Sequence, residues 1–192
     1  QLALALIAAQ REQRRLVAAR MEPALDAWFG KMADRVIGRA LQSGKALRSS
    51  ERKDWLDAEY LLEEYPDDKL VDLVKRFYLE LLQVSWDGWN LSLGLEAVFD
   101  MSDPSVTRAL GLAGSHVKAI QDTTLVSLRE ALQFGNENGW SIDHLDRGDP
   151  ALGRPGLRDL IEQTYKGRAA NIARTELGYA QQTCATARYA TS

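Results

Sequence analysis

Apolar side chains recur every three or four residues along most of this 192-residue chain. In its first stretch they fall at Leu6, Ala9, Leu16, Val17, Met21, Leu25, Trp28, Phe29, Met32, Val36 and Ala40. That 3.6-residue period predicts one long amphipathic helix from Leu2 to about Gln42. Pro23 lies inside it. A proline there removes a backbone donor and crowds the preceding turn, so a kink or break is expected near Glu22. Ser43 and Gly44 are expected to close the element, with Gly44 as a left-handed cap. Residues 43–53 read as an exposed basic loop.

Asp54 is expected to cap a short helix from Trp55 to Glu64, ended by Tyr65 and Pro66. Asp67 and Asp68 suit the positive end of a following long helix, with Leu70, Leu73, Val74, Phe77, Leu81, Leu82 and Val84 as its buried stripe. The pattern extends through Trp86 and Trp89 toward Phe99, with Gly88 allowing a close helix contact. The two tryptophans read first as core and second as a partner anchor. Asp103 followed by Pro104 has the form of an N-cap and a first helical residue, opening a short helix over Val106–Leu112. A longer one is expected from Ser115 to Phe134, with Val117, Ile120, Leu125, Leu128 and Leu132 inward. Gly135–Gly139 reads as a turn, Ser141 as the cap of a helix over Ile142–Leu145, and residues 146–156 as the most loop-like stretch. A last helix is expected from Leu157 to about Tyr189, with Gly167 as an interruption. The fold class expected is therefore all-α: a long N-terminal helix, then a helical bundle. Residues 1–53 form the basic helical segment and 54–192 the helical domain.

Composition agrees, because helix formers dominate, only 5 prolines occur and β-branched runs are scarce. Charge adds something new. The net charge of −3 hides a balance of +6 over residues 1–53, −10 over 54–103 and +1 over 104–192. Either these faces are solvated, or a positive and a negative surface meet different partners or each other. Cys184 is the single cysteine, so no internal disulfide forms, and no apolar run approaches the roughly 20 residues of a membrane span. The chain starts with Gln, which reads as a trimmed piece of something longer.

The chemical constellations are thin. His116 and His144 lie far apart with no second ligand at helical spacing, and no zinc, calcium or phosphate-loop motif is present, so neither metal nor cofactor is expected. The acidic residues Glu59, Glu63, Glu64, Asp67, Asp68 and Asp72 read as a solvated face ahead of a catalytic pair or a divalent cation site. Arg11, Arg14, Arg15 and Arg20 on the first helix are the stronger lead, as contacts to a protein partner or to DNA phosphates.

One segment is familiar. Ala169-Ala170-Asn171-Ile172-Ala173-Arg174-Thr175-Glu176 resembles the IARTE segment that ends the domain of the phage Mu F-like minor head, or head-morphogenesis, proteins. Leu125–Leu132 and the glycine turn Gly135–Gly139 leading to Ser141 resemble the block ahead of it. The likeness spans about residues 70–190 and is best after 120. It implies a non-enzymatic head component near the portal, in the virion interior and, during assembly, in the host cytoplasm. Portal and capsid proteins, packaged double-stranded DNA and further copies of the chain are the implied partners, with no membrane. Alternatives are a DNA-binding protein using the basic helix, the C-terminal part of a portal fusion, or an enzyme, since some phages fuse such domains to toxin or ADP-ribosyltransferase modules. Arg174, Thr175 and Glu176 are the family positions matched here. An Arg and a Glu two apart on a helix do not face each other, so each is expected to pair with another helix and lock packing, while Thr175 bonds back to a carbonyl one turn earlier.

Overall fold

The structure, a computed structural model, describes residues 2–46, 67–114, 126–135, 137–165 and 167–191. The described chain is almost wholly helical. Its elements are α1 (Leu2–Ala46), α2 (Asp67–Leu93), α3 (Pro104–Gly111), α4 (residues 126–135), α5 (Ile142–Arg147), β1 (Gly148–Asp149), β2 (Arg154–Pro155), α6 (Leu157–Tyr165) and α7 (Arg168–Thr191). The expected helix over Trp55–Glu64 with its cap Asp54, His116, and residues 115–125 of the Ser115–Phe134 helix lie outside the described residues.

α1 runs through Pro23 without a break, against the expected interruption. Met21 and Leu25 are fully buried on either side of it, while Ala19 and Pro23 are exposed. The carbonyl four residues back that loses its donor therefore faces water, and packing holds both flanks in one helix. Gly44 is not a cap either, since the helix continues to Ala46.

Two compact units draw on interleaved segments: Gln1–Leu25, Asp68–Val117 and Ala169–Ser192 form one, Asp26–Asp67 and Lys118–Arg168 the other. This differs from the expected sequential division at residue 53, because α1 contributes to both units and the C-terminal helix shares a unit with the N-terminus.

In the first unit, α2 presents Leu70, Val74, Tyr78, Leu81, Leu82, Ser85, Trp86, Trp89 and Asn90 to the interior. Val84, expected inside, is 42% exposed, and its place is taken by Ser85 and Trp86. Both tryptophans are core, 1% exposed, at 6.4 Å in an edge-on arrangement. The helix stops earlier than Phe99. Gly94 adopts φ +65°, and the chain turns back so that Trp86 Nε1 and Asn90 Nδ2 both donate to the Ala97 carbonyl, at 2.8 and 2.5 Å. Gly88 makes no close contact, as a Cβ there would meet nothing within 4 Å. α3 begins as expected: Asp103 is the N-cap, its carboxylate accepting from the Ser105 amide at 2.8 Å, with Pro104 next.

In the second unit, Phe29, Met32, Ala33, Val36 and Ile37 of α1 pack with Leu128, Leu132, Leu145, Leu157, Ile161 and Tyr165. Phe29 and Tyr165 stack at 4.1 Å, and the Tyr165 hydroxyl donates to Met32 Sδ at 3.8 Å. In the turn that follows α4, Gly139 is left-handed (φ +64°), and the Trp140 amide donates to the Gly135 carbonyl at 2.8 Å. Ser141 caps α5, its hydroxyl accepting from the His144 amide at 3.3 Å. The stretch expected as loop holds a two-residue antiparallel hairpin, Gly148 opposite Pro155 and Asp149 opposite Arg154. Gly148 (φ +80°) and Gly156 permit it, since a Cβ would lie 2.3 Å from the Arg154 carbonyl oxygen or 2.2 Å from that of Asp146. Gly167 (φ +77°) interrupts the last pattern, as its sequence position indicates, and separates α6 from α7.

Candidate functional site

α7 buries Ala169, Ile172, Ala173, Glu176, Leu177, Ala180, Gln181, Cys184 and Arg188, a strict three-and-four spacing along one face. Each residue turns about 100° around the axis, so Arg174 and Thr175 fall away from that stripe while Glu176 lies on it. The Arg174-Thr175-Glu176 segment is thereby divided between two environments.

Glu176 is 0% exposed. A buried carboxyl group is tolerated only when donors surround it, and two come from separate elements. The Tyr78 hydroxyl of α2 donates to Glu176 Oε2, and the Gly114 amide, in the turn after α3, donates to the same oxygen at 3.2 Å. Burial, together with the neighbouring Glu176, pushes the Tyr78 phenol far above its ordinary range, so it stays a donor. Gly114 (φ +78°) is held there by shape, because a Cβ would lie 2.6 Å from Val71 Cγ2. Glu176 thus fastens α7 to α2 and to the end of α3.

Further along the same stripe, Arg188 is 5% exposed. Its Nη2 donates to Asn90 Oδ1 at 2.6 Å, Nη1 lies 3.9 Å from Asp103 Oδ2, and its guanidinium sits 3.7 Å from the Trp86 ring centre. Ser85, Gln181, Ser105 and Cys184 continue the polar seam: Gln181 Nε2 reaches the Ser85 hydroxyl at 3.4 Å, and Cys184 Sγ lies 3.4 Å from the Ser105 hydroxyl. Tyr78 and Arg188 were not singled out in the sequence. The one signal was a polar residue on an apolar helical stripe, which Arg188 shows and Tyr78 hides behind its aromatic ring.

Arg174 and Thr175 are exposed. The expected pairing of Arg174 with another helix is not what the geometry gives: its Nε donates to the Ala170 carbonyl at 3.2 Å and Nη2 to Asn171 Oδ1 at 3.4 Å, both on its own helix. With Gly178, Tyr179 and Gln182 these two residues form one wall of an open groove of about 500 Å³, and Gln10 and Arg14 of α1 form the other. Arg14 lies over Gly178, where an added Cβ would stand 3.5 Å from Arg14 Nη1.

The four arginines of the first helix separate in turn. Arg15 bonds Glu12 through Nε and Nη2 at 2.8 and 2.6 Å, and Arg20 pairs with Glu80 of α2. The second pair joins the basic helix to the acidic segment of the same chain. Arg11 is exposed, and Arg14 is half-buried without a carboxylate partner among the described residues. No group of metal-ligating side chains occurs among the described residues, and no described helix is long and apolar enough to cross a membrane. No protein-family model, curated protein or solved structure matches this chain.

Proposed function

We infer that this chain is a non-enzymatic component of a bacteriophage or prophage head, a minor head protein of the Mu F-like kind. It acts in the virion interior near the portal and, before that, in the host cytoplasm during assembly. The observation that carries this reading is the resemblance of residues 169–176 to the closing segment of that family's domain, in a chain of the helical class that the resemblance implies. The division of the segment suits a holding role. Glu176 is spent on internal packing, which leaves Arg174 and Thr175 to face outward beside Arg14.

A second reading, a protein that binds DNA through its basic first helix, draws on Arg14, a half-buried cation with no acidic neighbour among the described residues of its groove. The deciding experiment is co-purification and native mass measurement with the neighbouring portal and capsid proteins, at a salt concentration that suppresses binding through phosphates alone. Capture of the portal protein is expected. Failure to associate with either portal or capsid protein would overturn the assembly reading.

A further inference from the structure

We propose that the groove between Arg14 and Arg174 is a binding site for the phosphodiester backbone of nucleic acid. For the source of the phosphate this rests on the assembly reading; the site itself rests on geometry. Arg14 is partly withdrawn from water yet has no carboxylate partner among the described residues, an arrangement that an anion from outside the chain would stabilise. Among the described residues, the groove's charged lining consists of the two arginines, with no Asp or Glu. Arg174 is held by the Ala170 carbonyl and Asn171, which orients its planar fork and leaves Nη1 for a ligand oxygen.

The remaining lining chemistry fits the same ligand. Thr175, Gln10 and Gln182 supply hydroxyl and amide donors of the sort that meet phosphate oxygens. Gly178 contributes no side chain to the floor, which leaves room for the Arg14 guanidinium above it. At about 500 Å³ and open to the surface, the groove is larger than one inorganic phosphate requires and can admit a strand running across it. This assignment also changes which arginines matter. Arg15 and Arg20 are engaged by Glu12 and Glu80, and Arg174, far away in sequence, takes their place.

Fluorescence anisotropy of a labelled DNA duplex with the full chain, at a series of salt concentrations, tests this. Two phosphate contacts predict a log–log salt slope of about −2. Arg14→Ala and Arg174→Ala are each expected to weaken binding about tenfold at low salt, equally for unrelated sequences, and to reduce the slope by about 1. Arg15→Ala and Arg20→Ala serve as charge-matched controls and should change affinity less than twofold. Thermal melting confirms that each variant is folded. Absence of salt-dependent duplex binding overturns the proposal, and so does an equal loss for all four arginine variants, which is the mark of a diffuse field. Competition by pyrophosphate at concentrations that leave the duplex unbound would overturn the polymeric source in favour of a small anion. Portal capture is scored separately. Arg14-dependent DNA binding without portal capture removes the assembly reading and leaves the groove standing; portal capture without DNA binding does the reverse.

Discussion

Glu176 and Arg174 are two residues apart and have opposite relations to solvent, which makes opposite predictions about substitution. Tyr78→Phe removes a donor from a fully buried carboxyl group, so it should destabilise the fold by about 1–3 kcal/mol. Urea denaturation measures this, and an unchanged midpoint would show that the contact is not formed. The same pair has a pH signature. With its folded pKa raised above the ordinary value of about 10, Tyr78 keeps its proton in the folded state where the unfolded chain loses it. Its stabilising contribution is full below about pH 10 and falls as pH rises beyond that, so the alkaline decline in melting temperature should be shallower in Tyr78→Phe. Arg174→Ala, by contrast, removes only contacts within its own helix turn and should shift stability by no more than about 0.5 kcal/mol. Cys184 is buried, and burial pushes its thiol up, so the folded protein should resist an aromatic disulfide reagent at neutral pH and react once denatured.

At the scale of elements, the glycines separate by what surrounds them. Gly88 sits within α2 with open space around it, so Gly88→Ala should stabilise the protein by about 0.5–1 kcal/mol. Gly156→Ala should cost more than about 2 kcal/mol, because its Cβ would strike the Asp146 carbonyl and force the hairpin apart. Thermal melts of the two variants should therefore move in opposite directions. The caps at Asp103 and Ser141 and the interruption at Gly167 are legible in sequence because each needs only its immediate neighbours. The early stop of α2 at Leu93 is not, since Trp86 and Asn90 reach forward to bind the Ala97 carbonyl. The continuity of α1 through Pro23 is not either, because it depends on what Met21 and Leu25 pack against.

Over the whole molecule, the uneven charge layout is only partly spent within the chain. Arg20 and Glu80 join its basic and acidic segments, but such partly exposed pairs contribute about 0–1 kcal/mol each and are screened by salt. Fold stability should hence change little between low and high salt, as differential scanning calorimetry can establish. Replacing Arg11, Arg14 and Arg15 together by Glu should leave the helical circular dichroism intact while weakening capture of a partner. Loss of the helical signal would make this face structural instead.

The sequence by itself determined the helical class, most helix starts and stops, and the residues that could supply charge. These follow from periodicity, propensity and capping, which act over three or four residues. Tertiary structure decided which of the charged residues are available. Glu80 of α2 occupies Arg20, and burial against Tyr78 and Gly114 occupies Glu176, whereas the Glu12–Arg15 pair is local, three residues apart on one helix. Arg14 and Arg174 are brought to one groove across 160 residues of chain, although no local rule relates them. The physical reason is that a helix fixes the direction of each side chain, but only packing fixes what that side chain meets.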